Sequence, residues 1–358
     1  MNEIIESQSN LLGINDFIRQ ANQYTQNSFP DLNISKIFND SISGNVGNIF
    51  NGFEIVNFFS NEASFAIEIM IDVIIIIIIN SIFKAIIENL GNSNSAQITY
   101  FVQYLVIVTL VINTFVSILD LTRESIENVV NFMTALIPLL VTLMLSTGSL
   151  VTSSVVEPIL LIMVNIVGNF INTFLIPLLL ISISISIVSN ISEKVQIDRL
   201  SKFLKSSIVW MLGILLTIFT STLSLQGSLT SSVDGMTAKT AKAAVSNFIP
   251  VVGKILGDTV DSVIGCGNIL KNSVGIIGVI VLIGIVFVPV IKISILWISF
   301  KLTSAVCEVV ADTKIVKLLD QIADSYKILL GILVSVSVMF IIGITLVVKM
   351  TNSALMYR

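Results

Sequence analysis

The chain has 358 residues, of which 54% are apolar and 12% charged, with a net charge of −4 and no histidine. That charged share is about half the ~25% usual in a soluble domain, so the surplus apolar surface must face lipid. The charge balance leaves no basic footprint for nucleic acid, and the absent histidines remove the commonest general base and metal ligand.

Residues 1–10 are polar and acidic and lack the basic and apolar regions of a secretory signal. Either the first span directs insertion or a leader has been removed. Leu11, Leu12, Ile14, Phe17 and Ile18 then recur at helical spacing. Pro30 and Asp31 interrupt the pattern, and PDLNISKIFNDSI predicts a second amphipathic helix with Asp31 as N-cap. Residues 1–65 therefore read as an extramembrane helical segment. It is either a surface helix on the membrane boundary or a partner-binding arm.

A membrane-crossing helix needs about 20 mostly apolar residues for a hydrocarbon core of about 30 Å. Residues 66–87, 98–119 and 132–147 meet that criterion. Residues 155–191 are apolar but would reach roughly 55 Å as one helix. Gly168, Asn169, Asn172 and Pro177 lie in its middle. They predict two spans joined by a tight turn or break; a single kinked helix is the other possibility. Residues 208–226, 274–299 and 328–349 complete a set of about seven or eight spans.

Short loops rich in Lys and Arg face the cytoplasm. Lys194, Arg199, Lys202 and Lys205 mark residues 190–207 in this way. Lys292, Lys301, Lys314, Lys317 and Lys327 mark the stretch after residue 290. Residues 227–272 must then lie outside or dip into the membrane. Five spans before residue 190 put the N-terminus outside; four put it inside.

Residues 227–272 are too polar for an ordinary span. They carry Asp234, Lys239, Lys242, Lys254, Asp258, Asp261 and Lys271. Two short helices are predicted, over 236–248 and 253–271, because Pro250 disfavours helix at Ile249. Gly253 and Gly257 are four apart on one face, as are Gly257 and Asp261, a spacing that lets helices approach closely. This hairpin could be re-entrant and line a water-filled path, could dock onto neighbouring subunits, or could be a plain amphipathic surface element.

No constellation for chemistry emerges. Cys266 and Cys307 lack CxxC spacing and read as packing residues. Leu256-Gly257-Asp258 resembles the Gly-Asp element of intramembrane aspartyl proteases, but no second span supplies the facing aspartate. Glu68 and Asp72 share one helix face and read as headgroup-zone carboxylates, with a cation path as the functional alternative. Glu157 reads as interfacial. Arg123, Glu124 and Glu127 read as a solvated loop or helix end. Gly275, Gly278 and Gly284 fall in an apolar span and read as helix contacts. Nucleotide-binding loops and nucleophile elbows are absent.

Several stretches taken together resemble the stage III sporulation protein AE family of endospore-forming Firmicutes. They are ALIPLLVTLMLSTG at 135–148, LSLQG at 223–227, DGMTAKTAK at 234–242, NFIPVVGKILGDTVDSV at 247–263 and NILKNSVG at 268–275. LGINDFIRQANQY and PDLNISKIF near the start are similar too. The resemblance covers nearly the whole chain and is most specific over 234–275. It implies a polytopic protein of the mother-cell membrane around the forespore. Its implied partners are the other membrane proteins of the stage III A operon and, through them, stage II sporulation protein Q, in a trans-envelope channel or feeding apparatus. Family members usually begin with a cleavable signal, which this sequence does not display.

The expected fold is all-α and polytopic, with an amphipathic or re-entrant hairpin before the last two spans. Its parts are the extramembrane segment 1–65, transmembrane helices over 66–226, the hairpin 227–272, and transmembrane helices with a cytoplasmic loop over 273–358. The expected function is a non-catalytic, cofactor-free, homo-oligomeric subunit of the sporulation channel. Asp234, Lys239, Lys242, Pro250, Gly253, Gly257, Asp258, Asp261 and Lys271 are the candidate assembly or lining residues. The alternative is a stand-alone secondary transporter, which needs paired intramembrane charges and matched broken helices. Residues 155–191 offer one half of that pattern.

Overall fold

Helices account for all the regular structure in the described residues of the computed structural model, which are 9–25, 33–43, 52–89, 93–191, 197–248 and 253–356. They are α1 (Ile14–Thr25), α2 (Ile34–Ser43), α3 (Gly52–Asn89), α4 (Ser93–Ser146), α5 (Leu150–Phe170), α6 (Ile176–Ile191), α7 (Asp198–Phe248), α8 (Gly253–Cys307) and α9 (Thr313–Met356). Among the described residues, six stretches are long and apolar enough to cross a membrane: Ala66–Phe83, Tyr100–Ser146, Leu150–Ile191, Asp198–Gly227, Ile264–Cys307 and Thr313–Met350. The chain is an all-α, multi-pass membrane protein. Six such stretches, where sequence predicts seven or eight spans, follow from two fusions.

The first fusion is α4. Residues 98–119 and 132–147 belong to one helix of 54 residues. The charged stretch between them contains neither Gly nor Pro, so nothing in it breaks a helix. Its hydroxyls also stay within the helix. Thr122 Oγ1 donates to the Ile118 carbonyl at 2.8 Å and Ser125 Oγ to that of Leu121 at 2.7 Å. The helix ends where Gly148 adopts φ 86°, a left-handed value open to glycine. Ser149 N–H then donates to the Met144 carbonyl at 3.1 Å and Gly148 N–H to that of Leu145 at 3.0 Å, which is the Schellman arrangement.

The second fusion joins α5 to α6. No tight turn separates them; a π-helical turn at Ile171–Leu175 does. Proline at position 177 lacks an N–H, and its ring would collide with the carbonyl four residues back. One widened turn just before it absorbs the misfit without stopping the helix.

Between residues 227 and 272 the two predicted short helices are the ends of longer ones. α7 runs on to Phe248 and α8 begins at Gly253. The intervening residues, Pro250 among them, lie outside the described residues.

Aromatic and glycine contacts fix the helices against one another. Phe219 of α7 meets Phe340 of α9 with centroids 5.9 Å apart. Tyr326 of α9 is flanked by Phe115 of α4 at 5.3 Å and Phe300 of α8 at 5.4 Å. Gly278 of α8 faces Leu136 of α4 and Ile344 of α9, and Gly275 faces Val348. Gly168 of α5 sits against Val130 of α4.

α1 and α2 form a hairpin against this bundle. Asn33, rather than Asp31, caps α2: its Oδ1 accepts the Lys36 N–H at 3.0 Å. Asp31 lies outside the described residues. Asn22 Oδ1 accepts the Ile34 N–H at 3.3 Å and ties the two helices together. Phe17 and Tyr24 of α1 pack on Phe132 of α4 at 6.0 and 5.8 Å. Since Phe132 belongs to the long apolar stretch Tyr100–Ser146, the hairpin lies along the flank of that helix.

Candidate functional site

Two buried polar positions stand near opposite ends of the apolar bundle. The first belongs to the segment that sequence singles out. Lys271 on α8 is 0% exposed, and its Nζ donates to Asn268 Oδ1 at 3.3 Å, one turn back. Beside it, the Asn272 Oδ1 is buried with no hydrogen-bond partner. Close packing buries this turn. At Gly267 an added Cβ would lie 3.0 Å from both Ser146 Oγ and Thr147 Cγ2, at the capped end of α4. An ammonium enclosed in apolar helices is costly, and such groups commonly serve function or pairing.

Of the other residues predicted for this site, Asp234, Lys239, Lys242, Gly253, Gly257, Asp258 and Asp261 fall on the helical ends of α7 and α8. Their side chains, and Pro250 altogether, lie outside the described residues. Glu68 and Asp72 are exposed on α3, and Glu157 is half-buried on α5. Arg123 pairs with Asp120 at 3.9 Å in mid-helix rather than in a loop.

The second position is a polar knot that sequence does not reveal. It joins α6, α7 and α9, with α4 at its edge. Asn190 Nδ2 donates to Gln321 Oε1 at 2.7 Å and to the Ser186 carbonyl at 2.8 Å. Gln321 Nε2 in turn donates to Asp198 Oδ1 at 3.3 Å, and Lys317 pairs with that same carboxylate. Lys205 is buried, and its Nζ donates to the Gln321 carbonyl at 2.6 Å. Ser201 Oγ lies 3.0 Å from Ser182 Oγ and 2.6 Å from Ser186 Oγ. Tyr104 and Tyr100 of α4 donate to the carbonyls of Ile187 and Asn190 at 2.6 and 3.0 Å. Lys301 and Asp320 pair nearby, linking α8 to α9.

The knot satisfies buried polar groups through one another, which is the condition for keeping them inside a protein. It contains no nucleophile held by a base. What it does is lock four helices in register. The one sequence sign of it is the spacing of Ser182, Ser186 and Asn190, four residues apart along a helix whose other polar residues are Ser184 and Ser189.

Comparison with known proteins gives a consistent result. The family model described as stage III sporulation protein AE matches residues 31–351. The stage III sporulation protein AE of Bacillus subtilis (strain 168) is 33% identical over 286 residues, covering 79% of this chain and 72% of that protein. No solved structure matches.

Proposed function

The chain belongs to the stage III sporulation protein AE family, and from that membership we propose that it is a subunit of the mother-cell-to-forespore channel. In this reading it sits in the mother-cell membrane around the forespore and assembles with copies of itself and with the other stage III A operon proteins. It contacts stage II sporulation protein Q through them. Its role is to build or line the conduit, not to catalyse.

One observation supports an assembled rather than a solitary protein. The apolar stretch Tyr100–Ser146 is 47 residues long, about 70 Å as a helix. A hydrocarbon core of about 30 Å covers less than half of it. Even a tilt of about 40°, the upper end for membrane helices, leaves about 54 Å along the membrane normal. Ile98, Phe101, Leu105 and Val116 are exposed towards one end of α4 and Leu145 at the other, about 70 Å apart along the helix, so apolar surface remains beyond any one bilayer. Protein must cover it.

Gly253 and Gly257 carry the expected assembly face. Gly253→Leu and Gly257→Leu should leave the protein inserted at normal abundance and abolish its co-purification with the other operon proteins from sporulating cells. Unchanged co-purification would remove these glycines from the interface. A secondary transporter acting alone is tested separately, by reconstituting the purified chain in liposomes. Transport of a defined solute there, without partners, would favour that alternative.

A further inference from the structure

One flank of the bundle has an outward face that lipid cannot match. Between residues 120 and 142, every exposed α4 side chain falls on a single stripe, and all but Pro138 are polar: Asp120, Glu124, Glu127, Asn131, Thr134 and Thr142. The spacing of three and four keeps them on one side of the helix. From first to last they span about 33 Å, the thickness of a hydrocarbon core.

The neighbouring helix continues this face. α5 docks on α4 through Gly168 against Val130. On an antiparallel pair, that contact brings Asn165 and Asn169 to the same side as the α4 stripe. Both are exposed. In the π-helical turn, Asn172 Oδ1 is enclosed with no hydrogen-bond partner. On the far side of α4, Leu136 is buried against Gly278 of α8, so the stripe faces away from α8 and α9.

The helices behind it are of the opposite character at the same height. α8 carries no charge from 272 to 291, α9 none from 328 to 348, and α7 none from 206 to 233. Gly278 touches both Leu136 and Ile344, which sets these uncharged lengths level with the α4 stripe. The exposed side chains of α7 and α9 there include Val209, Trp210, Ile214, Ile218 and Val334, as lipid requires. One flank thus suits hydrocarbon, while the other presents carboxylates and amides at the same depth. Carboxylates at that depth are tolerated facing water or protein, not acyl chains.

We propose that the α4–α5 face is the wall of a water-filled conduit, closed by further copies of this chain, that admits cationic solutes ahead of anionic ones. The proposal rests on the channel-subunit reading and assigns its lumen to α4 and α5 rather than to residues 227–272. With Asp120 paired to Arg123, Glu124 and Glu127 supply the charge preference, since an acid-lined cleft with low-dielectric walls concentrates cations roughly tenfold or more.

Single cysteines placed in the full-length chain in sporulating cells test it. The native Cys266 and Cys307 are buried, so the background is quiet. Asn131→Cys, Thr134→Cys and Asn169→Cys should react with a cationic methanethiosulfonate at least about tenfold faster than with its anionic counterpart. Val209→Cys and Ile214→Cys should react with neither. Glu124→Gln with Glu127→Gln should bring the two rates at Thr134→Cys together. Labelling of the stripe no faster than that of Ile214→Cys would overturn the proposal, as would equal rates for the two reagents with both glutamates in place. Labelling that appears only when the other operon proteins are deleted would also overturn it, by showing that a partner protein covers the face. Co-purification with those proteins, scored on the same variants, separates this from the channel-subunit reading. Complex membership with an unreactive stripe sinks the lumen assignment alone, whereas a reactive stripe on a chain that purifies by itself sinks the channel-subunit reading and the proposal built on it.

Discussion

Lys205→Glu is expected to abolish the stable fold, whereas Lys205→Met at the same position is expected to cost less than about 1 kcal/mol. The difference follows from what the ammonium meets. It is buried and donates to the Gln321 carbonyl at 2.6 Å, with the carboxylates of Asp320 and Asp324 near enough to act on it. Glutamate would set a carboxylate against a carbonyl oxygen and two like charges. Asp320 and Asp324 are themselves only partly buried, and Asp320 already pairs with Lys301, so losing the ammonium strands no buried charge, whereas a glutamate is itself an unpaired buried charge, costing several kcal/mol. Methionine removes both the charge and its desolvation cost and keeps most of the apolar stem. The Gln321 carbonyl does not become an orphan, because Ser325 Oγ also donates to it at 2.8 Å. Unfolding midpoints of the purified chain in detergent, with abundance in the membrane as a second reading, decide the matter. A methionine variant as damaged as the glutamate one would show that the charge itself holds α7 to α9.

The knot around Lys205 marks where sequence stops being informative. Composition and hydropathy identify the class because lipid exposure is a bulk property of the chain. Its individual contacts are long-range: Asn190 and Gln321 lie 131 residues apart, and Lys205 and Gln321 lie 116 apart. In the sequence Lys205 is one of several basic residues in a short loop, and only the fold turns it inward. Helix continuity fails for another reason. Charges such as Glu124 and Glu127 end a hydropathic stretch, yet a helix needs only compatible backbone, and both residues are good helix formers. Proline at 177 signals disturbance correctly, but sequence does not tell a π turn from a hairpin. The ends at Phe248 and Gly253 were legible because Pro250 restricts the residue before it. The continuation of α7 and α8 into the spans was not legible, since 227–272 looks soluble in composition. At the candidate site, the burial of Lys271 was not legible either, because one lysine in a stretch of mixed charge looks solvated until the helices close over it.

Glycine substitutions offer the sharpest test of the bundle's packing, because similar clearances should give different outcomes. An added Cβ would lie 2.5 Å from Val348 Cγ2 at Gly275, 2.6 Å from Val130 Cγ2 at Gly168, and 2.6 Å from Leu136 Cδ2 at Gly278. The first two obstacles are β-branched side chains in helices, held to essentially one rotamer. The third is the far end of a leucine, which can swing aside. Gly275→Ala and Gly168→Ala are therefore expected to destabilise the fold by about 1–3 kcal/mol, the usual cost of overpacking. Gly278→Ala should be near neutral, since alanine's helix preference over glycine, up to about 1 kcal/mol, offsets the small adjustment of Leu136. Gly213→Ala and Gly331→Ala meet nothing within 4 Å and should show that preference as a modest gain. Adding Val348→Ala to Gly275→Ala vacates the space the new methyl needs, so the double variant should lose less than the sum of the two single ones. Strict additivity in that cycle would mean that α8 and α9 do not meet at this pair. The approach of Gly275 to Val348, together with that of Gly278 to Ile344, sets α9 at the height of α8, and on that height rests the match between the uncharged lengths behind and the polar stripe in front.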